Sequence, residues 1–134
     1  MAFDVLAYCK EIDGKVRSIE SFVKRLAFMI QVSSEGKTCQ ISADNILYIE
    51  SVDRRTFFYT KDKVYETKEP LYQLETQLEH TGSIRISKNC LLNVDSLQSI
   101  RPFTNHRFEA TLVNGEKVLV SRNYIGDLKQ RLER

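Results

Sequence analysis

The sequence predicts a mainly β fold with a few short helices, α+β in class and antiparallel in its sheets. Three observations carry that reading. Apolar residues recur at a period of two in short runs along most of the chain. Turn-forming residues separate those runs by only a few positions, as hairpins require. Strands do not alternate with long helices, so a parallel β-α-β sheet has no basis. The sum is about eight to ten short strands and three helices.

In chain order, residues 2–9 alternate loosely and form a candidate strand. Ile12, Val16, Ile19, Phe22, Val23 and Leu26 fall on one helical face, with Asp13 placed to cap it. That face is wide enough to cover a sheet or to pair with a second copy. Phe28, Ile30 and Val32 then alternate, Ser33-Ser34-Glu35-Gly36 turns, and 38–41 returns. Ile46-Leu47-Tyr48-Ile49 and Thr56-Phe57-Phe58-Tyr59-Thr60 are strands flanking a polar segment that ends in Asp53-Arg54-Arg55. Lys61-Asp62-Lys63 turns into Val64-Tyr65-Glu66. Glu69-Pro70 opens a helix whose buried stripe is Leu71, Leu74 and Leu78. Ile84-Arg85-Ile86, Cys90-Leu91-Leu92, 97–103 and 108–113 are further strands. Asn114-Gly115 is the strongest hairpin signal, because both residues tolerate positive φ, and Val118-Leu119-Val120 pairs back. A last helix carries Ile125, Leu128 and Leu132 on one stripe, with Ser121 or Asn123 as its cap.

At 134 residues, 42% of them hydrophobic and 28% charged, with five Gly and two Pro, the composition is that of one globular domain. Cys9, Cys39 and Cys90 are odd in number and form no C-x-x-C pair, which argues against a disulfide framework or a zinc ribbon. Two histidines, His80 and His106, leave no compact metal-ligand spacing. No apolar run nears the ~18–20 residues of a membrane span, and no secretory signal opens the chain, so the expectation is a cytoplasmic protein. Enzyme signatures fail on inspection. Gly36-Lys37-Thr38 lacks the first glycine of a phosphate-binding loop, where Gln31 stands. Ser34-Glu35-Gly36-Lys37 fits S-x-x-K without its companion motifs. Cys90 lies in an apolar run and reads as a buried thiol. No nucleophile–base–acid set emerges, so no catalysis, cofactor or small-molecule substrate is expected.

The net charge is only +2, yet the charges are unevenly spread. Between Thr81 and Phe108 the basic residues are Arg85, Lys88, Arg101 and Arg107, and the sole acid is Asp95. A nearly balanced chain can carry a basic face when its acids sit elsewhere.

Residues 44–134 resemble a LytTR domain, the DNA-binding module of many bacterial transcription regulators. The residues that carry the resemblance are Asn45-Ile46-Leu47-Tyr48-Ile49-Glu50, the arginine loop after it, and Leu71, Leu74-Glu75 and Leu78. Ile84-Arg85-Ile86-Ser87-Lys88-Asn89 follows with Leu92-Asn93, then Asn114-Gly115-Glu116 and Val120-Ser121-Arg122-Asn123-Tyr124. Their order and spacing make the match specific. The resemblance divides the chain into an N-terminal strand, helix and hairpin extension at 1–43 and a DNA-binding domain at 44–134. It implies elongated antiparallel sheets, loops that enter the major groove, and binding at direct repeats. It carries base contact to Arg54 or Arg55, to Lys88 and to Arg122. The residues ahead of 44 are too few for a receiver domain, so partner phosphorylation is not implied.

Physical chemistry supports these positions and leaves alternatives beside them. A guanidinium at Arg54 or Arg55 can bond guanine O6 and N7 together, or sit in a solvated turn beside Asp53. Lys88 can meet a guanine or a phosphate, Ser87 and Asn89 can clamp phosphates, and Ser87 can equally serve as a helix cap for the following turn. Arg85, facing away from Ile84 and Ile86, is a phosphate contact or a surface charge. Arg122 stands at a helix start whose free N–H groups favour an anion, with Ser121 and Asn123 as neutral donors. The expected partner is double-stranded DNA, bound by a transcription regulator that pairs with a second copy through the N-terminal helix or only on DNA. Two alternatives stay open: an adaptor controlled by a membrane or signalling partner, and a single-strand binder using Tyr48, Phe57, Phe58, Tyr59 and Tyr65.

Overall fold

A computed structural model describes residues 29–133. The candidate strand at 2–9 and the helix at 12–26 lie outside the described residues. Within them, ten strands alternate with turns, as the sequence period demands. They are β1 (Met29–Ser34), β2 (Lys37–Ser42), β3 (Ile46–Val52), β4 (Arg55–Thr60), β5 (Val64–Thr67), β6 (Ser83–Ser87), β7 (Cys90–Asn93), β8 (Leu97–Pro102), β9 (Phe108–Leu112) and β10 (Lys117–Val120). Two helices, α1 (Leu71–Gln77) and α2 (Arg122–Leu132), complete the described fold. Seven strands form one sheet in the order β2-β1-β5-β4-β3-β7-β6, and three form another in the order β10-β9-β8. Every pairing is antiparallel.

Two apolar clusters order these parts into layers. On one face of the large sheet, Ile49, Phe58 and Leu91 pack with Leu71, Leu74 and Leu78 of the α1 segment. Here the leucine stripe meets the sheet as its 3.6-residue period requires. On the other face, Leu47, Ile86 and Leu92 pack with Ala110, Leu112 and Val120 of the small sheet and with Leu128 of α2. Strands β3 and β7 are thus covered on both sides, which explains their nearly continuous apolar sequence. A register shift between Ile46 and Tyr48 breaks the alternation of β3 and sends Leu47 and Tyr48 to the same cluster.

The β1–β2 hairpin joins the large sheet through Ser33 opposite Glu66, and Ile30, Val32 and Ile41 enter the first cluster. Pro70 stands just before α1 rather than inside it, extended at φ −70° and ψ 154°, and its carbonyl accepts from Gln73 and Leu74. The Asn114-Gly115 turn differs from the expected two-residue hairpin. Only Gly115 takes positive φ, at 91°, and Leu112 N donates to Glu116 O at 2.8 Å across a three-residue loop. Left-handed Gly115 after an ordinary turn restores the strand twist that a two-residue primed turn supplies directly.

Candidate nucleic-acid interface

Arg54 sits at the tip of a two-residue turn. Val52 pairs with Arg55, and Asp53 and Arg54 between them take φ of 51° and 67°. Both central residues are left-handed, the geometry that suits strand twist but is strained for an arginine. The side chain is exposed and makes no ion pair or hydrogen bond among the described residues. Arg55 behaves differently. Its Nε and Nη2 donate to both oxygens of Glu66 at 2.7 and 2.6 Å, and its guanidinium lies 5.3 Å from the Phe57 ring centre. That hydrogen-bonded pair holds the Glu66 carboxyl below its ordinary range and raises Arg55 further. Of the two arginines proposed for this loop, Arg54 is the one with an unoccupied fork.

The second tip, at 87–89, is bound to the first. Ser51 N donates to Asn89 O at 2.8 Å, beside the Glu50–Cys90 pair of β3 and β7. Ser87 Oγ accepts from Asn89 N at 3.3 Å, closing the turn rather than capping a helix. Lys88 and Asn89 are exposed. Arg85 is not a free surface charge. Its side chain is 17% exposed, its Nη2 donates to Glu75 of α1 at 2.8 Å, and its Nη1 donates to Lys88 O at 2.6 Å. Alternation along β6 turns Arg85 away from Ile84 and Ile86 and toward α1, whose Glu75 takes its charge.

The third tip adjoins the second. Ser121 N donates to Ile86 O at 2.9 Å, so the start of α2 lies against the end of β6. Ser121 occupies the N-cap position with extended φ −68° and ψ 147°, but its hydroxyl makes no capping bond, contrary to the sequence expectation. Arg122 and Asn123 follow in the first turn, both exposed.

A fourth loop on this edge escaped the sequence reading. Val120 pairs with Phe108, and Phe108 with Pro102, so residues 103–107 cap the same end of the small sheet from which α2 departs. Asn105 and His106 are consecutive left-handed residues, at φ 59° and 62°, with no glycine. Arg107 is held inside the loop. Its Nε donates to Thr104 O at 3.3 Å, and its guanidinium lies 5.6 Å from the Phe103 ring centre. The basic run between Thr81 and Phe108 held this signal, but the strand order that brings Arg107 beside Arg122 was not readable from it.

Four tips therefore follow one another along one rim: 53–54, 87–89, 121–123 and 103–107. They carry Arg54, Lys88, Arg122, Arg107 and His106, with Asp53 as their only carboxylate. Three of the acids, Asp44, Asp62 and Asp95, sit at the other ends of the strands, where they line a cavity of about 380 Å³ together with Lys61 and Lys63. Such separation gives a nearly balanced chain a cationic edge. Three of the five aromatics offered for base stacking, Tyr48, Phe58 and Tyr59, are engaged internally. Phe58 is fully buried, Tyr48 and Tyr59 stack at 4.4 Å, and Tyr48 OH donates to Glu116 at 2.8 Å. Cys90 is buried among apolar neighbours, as expected, and that burial pushes its thiol up to about 12. Among the described residues no group of His, Cys, Asp or Glu could hold a metal ion, and no helix is long and apolar enough to cross a membrane.

Among the described residues the chain is an antiparallel β scaffold with a basic edge of loops. Comparison with known proteins agrees on the family. The model of the LytTr DNA-binding domain matches residues 36–133. A sensory transduction protein LytT of Enterococcus faecalis is 27% identical over 103 residues, covering 77% of this chain and 43% of that protein. A transcriptional regulatory protein LytR of Staphylococcus aureus is 29% identical over 100 residues, 75% of this chain and 41% of its own. A LytT of Bacillus cereus is 28% identical over 122 residues, 91% and 47%. The chain thus spans less than half the length of these curated relatives. A solved LytTr DNA-binding domain from Bacillus cereus superposes with a TM-score of 0.73 at 23% identity, over 79% of this chain and 97% of that one. This chain belongs to the LytTr DNA-binding domain family.

Proposed function

We propose that this chain is the DNA-binding module of a transcription regulator and that it reads duplex DNA with the loops of its cationic rim. The observation that carries the reading is the convergence of Arg54, Lys88, Arg107 and Arg122 on one edge through hydrogen-bonded neighbours. Membership of the family supports binding at direct repeats, one domain per repeat. Arg54, Lys88 and Arg122 are the base-contacting residues in the major groove, where Arg and Lys donate to guanine O6 and N7. Ser87, Asn89, Ser121, Asn123 and Arg107 serve the phosphates. Arg55, engaged by Glu66, supports the first turn.

The test is selection of duplex fragments from a random pool, followed by band-shift titration of the winners. Wild-type protein should enrich a repeated motif. The triple variant Arg54→Ala, Lys88→Ala, Arg122→Ala, verified as folded, should lose ~3–9 kcal/mol of specific binding if the three contacts add. No enrichment by the wild type, or a triple variant that binds at unchanged concentration, overturns the reading. Preference for single strands over duplex in competition would overturn it too.

A further inference from the structure

We propose that Arg85 and Glu75 are positioning residues that set the Lys88 tip for sequence reading, an inference that rests on the duplex-DNA function just described. From within, the β6–β7 turn is held by the 3.3 Å bond from Asn89 N to Ser87 Oγ. A two-residue hairpin matches strand twist best when its central residues take positive φ, and neither Lys88 nor Asn89 does. A register shift between Arg85 and Ser87 leaves the strand irregular just before the turn. Arg85 compensates from behind. One arm of its guanidinium donates to the carbonyl of Lys88 at 2.6 Å, and the other side donates to Glu75 Oε1 at 2.8 and 3.3 Å. Glu75 in turn rides on α1, whose Leu71, Leu74 and Leu78 are buried against the large sheet. The tip is thereby tied to the core through a rigid, planar, charge-balanced link. A lysine at 85 could not make this link, because its compact ammonium lacks the fork that spans carboxylate and carbonyl together. The Glu75 carboxylate also keeps the Arg85 charge turned inward, leaving Lys88 as the cation this turn offers to DNA.

The experiment uses the full chain and the duplex that the wild type selects. Arg85→Gln, Arg85→Lys and Glu75→Ala are each compared with wild type for specific affinity, mismatched-duplex affinity and salt slope. Amide hydrogen exchange at Asn89 is followed in the free protein. Each variant should speed exchange at Asn89, lower specific affinity about tenfold, leave the mismatched affinity and the salt slope unchanged, and make a further Lys88→Ala nearly silent. Arg122→Ala should still add in full. Glu75→Ala, at a half-buried helix position, keeps the test available if Arg85→Gln fails to fold. Independent addition of Arg85→Gln and Lys88→Ala overturns the proposal, as does a salt slope shallower by about one phosphate contact, which would make Arg85 a direct ligand. Unchanged exchange at Asn89 overturns it without DNA, so failure of the brace is distinguishable from failure of the wild type to select any duplex.

Discussion

Arg54 holds a left-handed conformation that costs an L-residue on the order of 1 kcal/mol and that glycine adopts freely. Its exposed side chain makes no hydrogen bond or ion pair among the described residues that would offset the strain. Arg54→Gly should therefore raise unfolding stability by ~0.5–1 kcal/mol in urea titration while weakening specific duplex binding by ~1–3 kcal/mol. Opposite signs in the two measurements separate a residue kept for contact from one kept for folding, and a loss of stability would refute the strain argument. The sequence placed both arginines in this loop but could not choose between them. The choice lies in Glu66, eleven residues away in sequence and on the next strand, which takes the Arg55 fork. Cys90 was legible because an apolar run around a lone thiol has one physical meaning. Its thiol is raised by burial from an ordinary value near 9 to about 12. A group raised in the folded state contributes stability that is complete below its unfolded pKa and is lost as pH climbs toward the folded one. Stability should thus decline between about pH 9 and 12, and Cys90→Ala should flatten the decline in urea titrations across that window.

At the scale of elements, periodicity located the described strands and helices, because each buries one face and that face sets the period. What it misjudged were joints. The loop after β9 needs one left-handed residue, not two, and the start of α2 is fixed by Ser121 N on Ile86 O instead of by a hydroxyl cap. Those outcomes depend on neighbours in space that a window of sequence does not contain. The approach to β6 offers a sharp test of such a joint. A Cβ at Gly82 would stand 2.7 Å from Asn93 Oδ1 and 3.1 Å from Asp95 Oδ2. Asn93 has little freedom to yield. Its Nδ2 donates to Ile46 O at 2.9 Å, its Oδ1 accepts from Asp95 N at 3.1 Å, and Val94 N holds Gly82 O at 2.8 Å. Gly82→Ala should destabilise the chain by ~1–3 kcal/mol, measured as a lower urea midpoint at unchanged slope. An unchanged midpoint would mean that the Asn93 network is looser than its hydrogen bonds imply.

The arrangement of the whole molecule converts a charge of +2 into a directed surface. Antiparallel pairing sends alternate turns to opposite ends of the sheets, so the order of turns sorts the charges. The tips at 53–54, 87–89 and 121–123 were legible through the resemblance, since each lies within a quoted motif. The 103–107 loop was not, because only the order β10-β9-β8 brings it beside Arg122. This difference has a measurable consequence. If Arg54, Lys88, Arg107 and Arg122 each displace one condensed counterion, log affinity should fall with log salt at a slope near −3.6, from ~0.9 per contact. Arg107 lies at the end of the rim, tied to Thr104 and stacked on Phe103, where it can meet a phosphate but is poorly placed to turn into the groove. Arg107→Ala should therefore reduce the slope by about 0.9 and weaken all duplexes alike. Arg122→Ala should reduce the slope too and in addition change which base is preferred, since a base-edge contact carries sequence information and a phosphate contact does not. Binding isotherms at four or more salt concentrations, on the selected duplex and on one with a single altered repeat, distinguish the two. A sequence-dependent loss from Arg107→Ala would move that residue from the backbone into the groove. A slope unaffected by its removal would take the fourth loop off the interface.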